Sequence, residues 1–382
     1  MRLLHTSDWH VGRTFHGRDL LADQEIVLGA IAGLVEVERV DVVVVSGDLY
    51  DRAVPSAEAV ATCTRALSRI RAAGAELVII AGNHDSAQRL GAFAEFAAAG
   101  GLHLRTSVAE LDRPVLLRDE HGPVACYGIP YLEPDPARHA LGRPELRGHA
   151  GVLGEAMNRV RADLAARGEG VRSVVLAHAF VTGAAPSESE RTIAVGGIED
   201  VPAAVFDGID YVALGHLHGA QTLAEHLRYA GSPIAYSFSE ARHHKSVWLV
   251  DLGPAGLAQV RRHELPVPRR LATVRGELAE LLADPAHERV AGHYLYAVLT
   301  DRVRPLDAMR TLQKRFPYTV RLDWLPDGVE TRPEPRFAAH GRDDAAVAGE
   351  FVLDCRGSAV NDAERELFAE AFTAVRQLEG RQ

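Results

Sequence analysis

Cysteine is scarce: the 382 residues contain three, Cys63, Cys126 and Cys355, far apart and without a CxxC pair. Such spacing offers neither a disulfide framework nor a thiolate metal site, and it fits a reducing, cytoplasmic setting. Long apolar runs are also missing. The opening "MRLLHTSDWH" turns polar within a few residues, too soon for a signal peptide, and no run reaches the roughly 18 residues a bilayer span needs, so a soluble chain without a membrane partner is expected. There is no basic excess. A formal net charge of −10 argues against coating nucleic acid by bulk charge, but not against a local groove or a metal site that draws phosphate. The stretch "GAAPSESERTIAVGGIED" has glycines but neither GxGxxG after a strand nor GxxxxGK[ST], which speaks against ATP binding by this chain.

What is present is a layered α/β pattern. Short, continuously apolar runs, "RLLHTSD", "DVVVVSGD", "ELVIIAGNHD", "SVVLAHA" and "IDYVALGHLH", read as strands covered on both faces. Between them, segments 20–38, 56–72, 86–99 and 151–167 carry Ala, Leu, Arg and Glu at helical spacing, so helices cover the sheet. After about residue 265 the texture changes. Residues 266–325 alternate strand patterns ("HYLYAVLT", "YTVRLDWL") with helical ones and read as a small α/β domain; 326–350 is Pro-rich and charged and reads as a linker. The segment 351–382 closes with a helix that Asn361 or Asp362 can cap, with Leu367, Phe368, Ala371, Phe372, Val375 and Leu378 on one face. That face either packs back on the chain or docks in a partner's groove, and the linker in front of it favours docking.

Each apolar run of the first part stops at Asp, Asn or His: Asp8 and His10, Asp48, Asn83 and His84, His178, His216 and His218. Ligands bind beyond the carboxyl ends of strands in such sheets, so these side chains can converge. In order they spell DxH, GDxxD, GNHD, a lone His and GHxH; GNHD alone arises at about one window in 10^5 at ordinary residue frequencies. Residues two apart in a strand point the same way, so Asp8 with His10, and His216 with His218, can reach one site. Two Asp, four His and one Asn, with no thiolate, suit Mn²⁺, Fe or Zn²⁺. Seven donors exceed one ion, but two ions bridged by Asp48 would each receive four. A pair roughly 3.5 to 4 Å apart can generate hydroxide and orient a phosphate, which implies phosphoester hydrolysis. The acid near the leaving oxygen is expected to be His84, with Asp51 accepting its ring N–H. His5, His243 and His244 have no partner spacing and are expected to be ordinary histidines. Asp85 is expected to satisfy turn backbone, and Arg261, Arg262, Arg269 and Arg270 to be solvated.

These motifs, with the stretches "MRLLHTSDWHVGRTFHG", "GDLYDRAVPS", "AGNHDSAQRL", "LGHLHGAQ" and "YAGSPIAYSFSEARHHKSVWLVDL", resemble those of the calcineurin-like metallophosphoesterases, and within them the SbcD nuclease-subunit family. The resemblance is close over residues 1–265 and extends to the order of cap domain, linker and terminal helix. It implies a metallophosphoesterase sheet sandwich covered by helices, a small α/β capping domain, and a C-terminal helix that binds an SbcC-type ATPase. It implies one Mn²⁺ among Asp8, His10, Asp48 and His218 and another among Asp48, Asn83, His178 and His216, with Mg²⁺ or Fe²⁺ as alternatives and His84 as the non-ligand catalytic histidine. It further implies a homodimer within a heterotetramer, acting on duplex ends, hairpins and single strands as an ATP-dependent double-strand 3'-5' exonuclease and single-strand endonuclease in repair, recombination and replication. At position 51 some relatives carry His where this chain has Asp. The competing readings are a protein or small-molecule phosphoesterase and a non-catalytic scaffold for the ATPase. Asp51-Arg52 is similar to a phosphatase motif, but Ala53 and Asp85 stand where that motif needs Gly and Glu.

Overall fold

Val42 to Val45 show why the strands lack polar alternation. Val43 and Val45 point into a core shared with two helices, whereas Val42 and Val44 point into a second core between two sheets. Neither face meets water, so every position is apolar. Each such side chain contributes roughly 1.5–3 kcal/mol on burial.

The computed structural model describes residues 1–190, 201–326, 344–356 and 358–379. In chain order the strands are β1 (Arg2–Thr6), a ribbon of β2 (Thr14–Phe15) and β3 (Arg18–Asp19), β4 (Val42–Ser46), β5 (Glu76–Ile80), β6 (Leu102–Arg105), β7 (Val115–Asp119), β8 (Gly122–Ile129), β9 (Arg172–His178), β10 (Tyr211–Gly215), β11 (Gln221–Ala224), β12 (Leu227–Tyr229), β13 (Ser246–Gly253) and β14 (Gly256–Glu264). Two six-stranded sheets form, in the orders β14-β13-β1-β4-β5-β6 and β11-β12-β10-β9-β8-β7. The strands that lead to the site run parallel: β1 with β4, β4 with β5, and β9 with β10.

The inner core joins Leu3, Val44, Val78 and Ile80 of one sheet to Val124, Val174, Leu176 and Ala213 of the other. Outside the first sheet, Val27, Ile31, Cys63 and Ile70, from the helices Leu21–Glu38 and Ala57–Ala72, pack on Val43, Val45, Leu77 and Ile79. Outside the second, Val152, Leu153 and Val160 of the helix Gly148–Ala166 pack with Val175, Val212 and Leu214. The result is a helix-sheet-sheet-helix stack, the architecture the alternating pattern predicts.

The chain folds as two compact units: Met1–Thr273 with Val290–Tyr296 and Tyr318–Arg321, and Val274–Arg289 with Ala297–Pro317 and Leu322–Gln382. A three-stranded sheet runs in the order β15 (Leu271–Gly276), β16 (Tyr294–Leu299), β17 (Thr319–Trp324). In the second unit the helices Leu278–Ala283 and Ala308–Arg315 pack together, with Arg315 Nη1 donating to the Leu281 carbonyl at 3.1 Å. Most of the expected linker lies outside the described residues, but a helix, Asp344–Arg356, begins inside its span, where "DAAVAGE" supplies good helix formers. The last helix, Asp362–Glu379, is capped by Asn361: its Oδ1 accepts from the Glu364 amide at 2.9 Å while Glu364 Oε2 accepts from the Asn361 amide at 2.8 Å. Leu367 and Val375 of its apolar face are exposed, and the side chain of Leu378 lies outside the described residues. Among the described residues no helix is long and apolar enough to cross a membrane.

Candidate metal centre

The parallel pairing of β1 with β4 continues into their loops, where the amides of Asp8 and His10 donate to the carbonyls of Gly47 and Asp48 at 3.1 and 2.9 Å. Asp8 (φ 53°), His10 (44°), Asp48 (51°) and His216 (105°) all have left-handed backbones. Such conformations cost roughly 1–3 kcal/mol each and persist only where surrounding structure imposes them. DxH therefore reaches the site from a strained loop beyond β1, and not by the two-residue alternation of a strand. The glycines beside these residues admit them. A Cβ on Gly47 (φ 90°) would lie 2.4 Å from His178 Nδ1, and one on Gly215 would lie 1.9 Å from the Ser46 carbonyl oxygen.

All seven expected donors come together, together with His84. His10 Nε2 faces His218 Nε2 at 3.1 Å and Asp48 Oδ2 at 3.6 Å. On the other side of Asp48, His178 Nε2 lies 3.5 Å from the same Oδ2 and 2.8 Å from Asn83 Oδ1, which is 3.3 Å from His216 Nδ1. Donor atoms of Asp8, His10 and His218, of Asp8, Asp48 and His178, and of His10, Asp48 and His84 fall within 4.8 Å of one another. All but Asn83 are buried, which is unusual for so many ionisable groups without a cation.

The electrostatics suit a cation. Burial lowers His216 to about 3 and holds His10 well below its ordinary value, so both rings are neutral and each keeps one nitrogen able to ligate. Burial would push Asp48 up, but His178 and His10 hold it well below the usual carboxylate range; Asp8 is raised to about 6 by burial. Among the described residues His10 Nδ1, buried, has no hydrogen-bond partner. Ionised carboxylate, neutral imidazoles and facing nitrogens form a donor set that fits divalent transition ions.

His178 carries a consequence for pH. Burial opposes its charging, but Asp48 more than offsets this and lifts the ring to about 9. Before a metal binds at pH 7 the ring therefore holds a proton that must leave. Calorimetric Mn²⁺ titrations in buffers of different ionisation enthalpy should show release of about one proton per chain from His178 at pH 7, falling to about half near pH 9 and lost at higher pH. Uptake without proton release would contradict the place of His178 in the centre.

The His84 ring lies edge-on to His10, with centroids 4.5 Å apart, and its amide donates to Asp48 Oδ1 at 2.8 Å. Its Nδ1 is 2.8 Å from the backbone carbonyl of Asp51, whereas the Asp51 carboxylate is 3.9 Å away. The close Asp51 link is thus made by main chain, and its carboxylate lies between His84, His10 Nδ1 (3.9 Å) and Arg13 Nε (3.7 Å). Asp85 accepts from the amides of Leu49, Tyr50 and Gly82, each at 3.0 Å, which is the turn-satisfying role expected of it. His5 is a core histidine held by Tyr211 Oη and the Leu214 carbonyl, lowered to about 3 by burial. His244 is exposed beside Glu264.

Several residues around the donors carry no sequence signal of their own. Ser189, Glu190, Glu240 and Lys245 surround His218, and Glu240, whose burial opposes ionisation, is held well below the usual range by Lys245 and His218. The Tyr236 ring lies near those of His10 and His218, at centroid distances of 5.4 and 5.6 Å, with Gln24 donating to its hydroxyl. Of these, Tyr236, Glu240 and Lys245 fall in the quoted stretch "YAGSPIAYSFSEARHHKSVWLVDL", but nothing in their spacing assigns them to His218.

Two packed sheets gather carboxylates and imidazoles at their strand ends in a set that fits divalent metal ions. The chain belongs to the calcineurin-like phosphoesterase family, whose match covers residues 1–220, more than half its length. Among solved structures it is similar to "GAP50 the anchor in the inner membrane complex of Plasmodium", over 87% of this chain and 99% of that one, at 11% identity and a TM-score of 0.38. At that level the likeness bears on neither fold nor function.

Proposed function

We propose that the chain is a DNA nuclease, the SbcD-type subunit of a complex with an SbcC-type ATPase, and that it hydrolyses phosphodiester bonds with two divalent ions, Mn²⁺ first among them. The reading rests on Asp48, whose Oδ2 lies 3.6 Å from His10 Nε2 and 3.5 Å from His178 Nε2 and so can be shared between two donor groups. Asp8, His10 and His218 complete one group; Asn83, His178 and His216 complete the other. When bound, the ions supply a hydroxide at neutral pH and neutralise charge developing on the phosphate.

The chain's own residues set up the rest. The Ser46 carbonyl, 2.9 Å from His178 Nδ1, can only accept, so that nitrogen carries the proton and Nε2 faces Asp48 and Asn83. The Asp51 carbonyl likewise takes the Nδ1 proton of His84, so to act as the acid the ring would carry a second proton on Nε2, pass it to the leaving oxygen and return to the neutral form. Asn83 contributes a neutral oxygen, which keeps the site less negative toward an incoming phosphate.

DNA is favoured over phosphoprotein by Ala53 and Asp85, which depart from the phosphatase pattern, and by the SbcD-like stretches over residues 1–265. On this reading the subunit acts in the cytoplasm as a homodimer within a heterotetramer, trimming duplex ends and opening hairpins. The helix Asp362–Glu379 docks on the ATPase, which also supplies DNA grip that an acidic chain lacks. Incubating the purified chain and Mn²⁺ with hairpin and linear duplex DNA, with and without the ATPase partner, should give nicked hairpins and shortened duplex. Turnover of phosphopeptides with DNA left intact would overturn the reading.

A further inference from the structure

Ser189 belongs to no metal-donor motif and lies 29 residues before His218, yet its Oγ is 2.5 Å from His218 Nδ1. The same hydroxyl donates to Glu240 Oε1. The second carboxylate oxygen of Glu240 meets Lys245 Nζ at 2.5 Å, and Lys245 also donates to the His218 carbonyl at 2.9 Å and to Ser232 Oγ at 2.8 Å. Ser189, Glu240, Lys245 and His218 are all buried. Glu190 adds a fixed point, its Oε1 accepting from the His218 amide at 2.7 Å, and Arg13 Nη2 donates to the Ser189 carbonyl at 2.8 Å.

The directions of these bonds follow from proton counting. A hydroxyl has one proton, and a carboxylate paired with an ammonium can only accept, so the Ser189 proton goes to Glu240. The lone pair of Ser189 Oγ must then accept from His218 Nδ1–H. In the ligating form of His218, which carries one ring proton, that proton is therefore on Nδ1 and the lone pair on Nε2, the nitrogen that faces His10 Nε2 at 3.1 Å. Reversing the tautomer would set an N–H toward the donor cluster and leave Ser189 facing a second lone pair. Both ends of the residue are therefore clamped, the ring by Ser189 and the backbone by Lys245 and Glu190.

We infer that Ser189, backed by Glu240 and Lys245, is a positioning residue for the metal centre: it holds His218 in the tautomer and orientation that ligate through Nε2. The inference rests on the reading of His218 as a metal donor. Partners of this kind are worth 10- to 100-fold in metal affinity in other metalloproteins. Only one of the two donor groups contains His218, so the effect should be lopsided, which general loosening of the fold would not produce.

The test is calorimetric titration of the metal-free full chain with Mn²⁺ alone, comparing wild type, Ser189→Ala and Ser189→Thr, with thermal melting of each metal-free protein. Wild type should bind two ions. Ser189→Ala should weaken one step by about 10- to 100-fold and the other by less than about threefold, while the metal-free protein still melts in one cooperative transition, at a midpoint lowered by the lost buried hydrogen bonds. Ser189→Thr, which keeps the hydroxyl, should restore the weakened step. Wild-type affinities in Ser189→Ala, equal weakening of both steps, or failure of Ser189→Thr to rescue would each overturn the positioning role while leaving the proposed function intact. Absence of Mn²⁺ binding by wild type would instead overturn the metal reading beneath both.

Discussion

Replacing His84 with glutamine should lower phosphodiester hydrolysis by about 10²–10⁴-fold while the protein still takes up its full complement of Mn²⁺. The ring is buried against His10, and its Nδ1 meets the Asp51 carbonyl at 2.8 Å, so one nitrogen is committed to the main chain. Nε2 is then the nitrogen assigned to act on substrate. Glutamine is of similar reach and can donate to the same carbonyl, which preserves the local packing, but it has no proton to transfer. A ring nitrogen of His84 also falls within 4.8 Å of donor atoms of His10 and Asp48, so ligation is geometrically open to it. Metal analysis of the purified variant separates the roles: two ions per chain with little activity fits the acid, whereas loss of an ion makes His84 a ligand. Asn83→Ala should behave in the opposite sense, giving up one ion.

The second large effect is expected at Asp48. In Asp48→Asn the metal content should fall below one ion per chain and hydrolysis by at least about 10³-fold, because both donor groups lose their shared oxygen. The substitution is nearly isosteric, and its amide oxygen can still accept from the His84 amide, which sits 2.8 Å from Asp48 Oδ1. A cooperative thermal transition should therefore survive. What disappears is the negative charge that His178 and His10 hold ionised in spite of burial. Retention of two tightly bound ions in Asp48→Asn, measured by elemental analysis after exhaustive dialysis, would show that the ions do not share this residue.

The parts of this protein that the sequence announces are those whose signal is local. A valine run followed by Gly-Asp marks both β4 and the carboxylate beyond it, because a strand buried on both faces must be apolar throughout and must end where a polar group can face the cleft. The start of the last helix is legible because Asn361 and Asp362 are both capping residues, and the fold shows that Asn361 is the cap, paired with Glu364. What stayed hidden depends on backbone and on distance along the chain. The left-handed φ of Asp8, His10 and Asp48 leaves no residue signature except the glycines nearby, so strand alternation suggested the right convergence by the wrong geometry. The group that holds His84 Nδ1 is a carbonyl, which every residue has, so no side-chain pattern marks it. Ser189, Glu240 and Lys245 come from separate positions around His218, and only the folded chain joins them.

The central claim is that one carboxylate, Asp48, divides the donors into two metal sites with His84 outside both. Diffraction from crystals grown with Mn²⁺, recorded at the manganese absorption edge, tests it most directly. The account predicts two anomalous peaks roughly 3.5–4 Å apart, with an Asp48 oxygen between them, Asn83 beside one and no peak within bonding distance of His84. A single peak, or a second ion bound by His84 in place of Asn83, would contradict it.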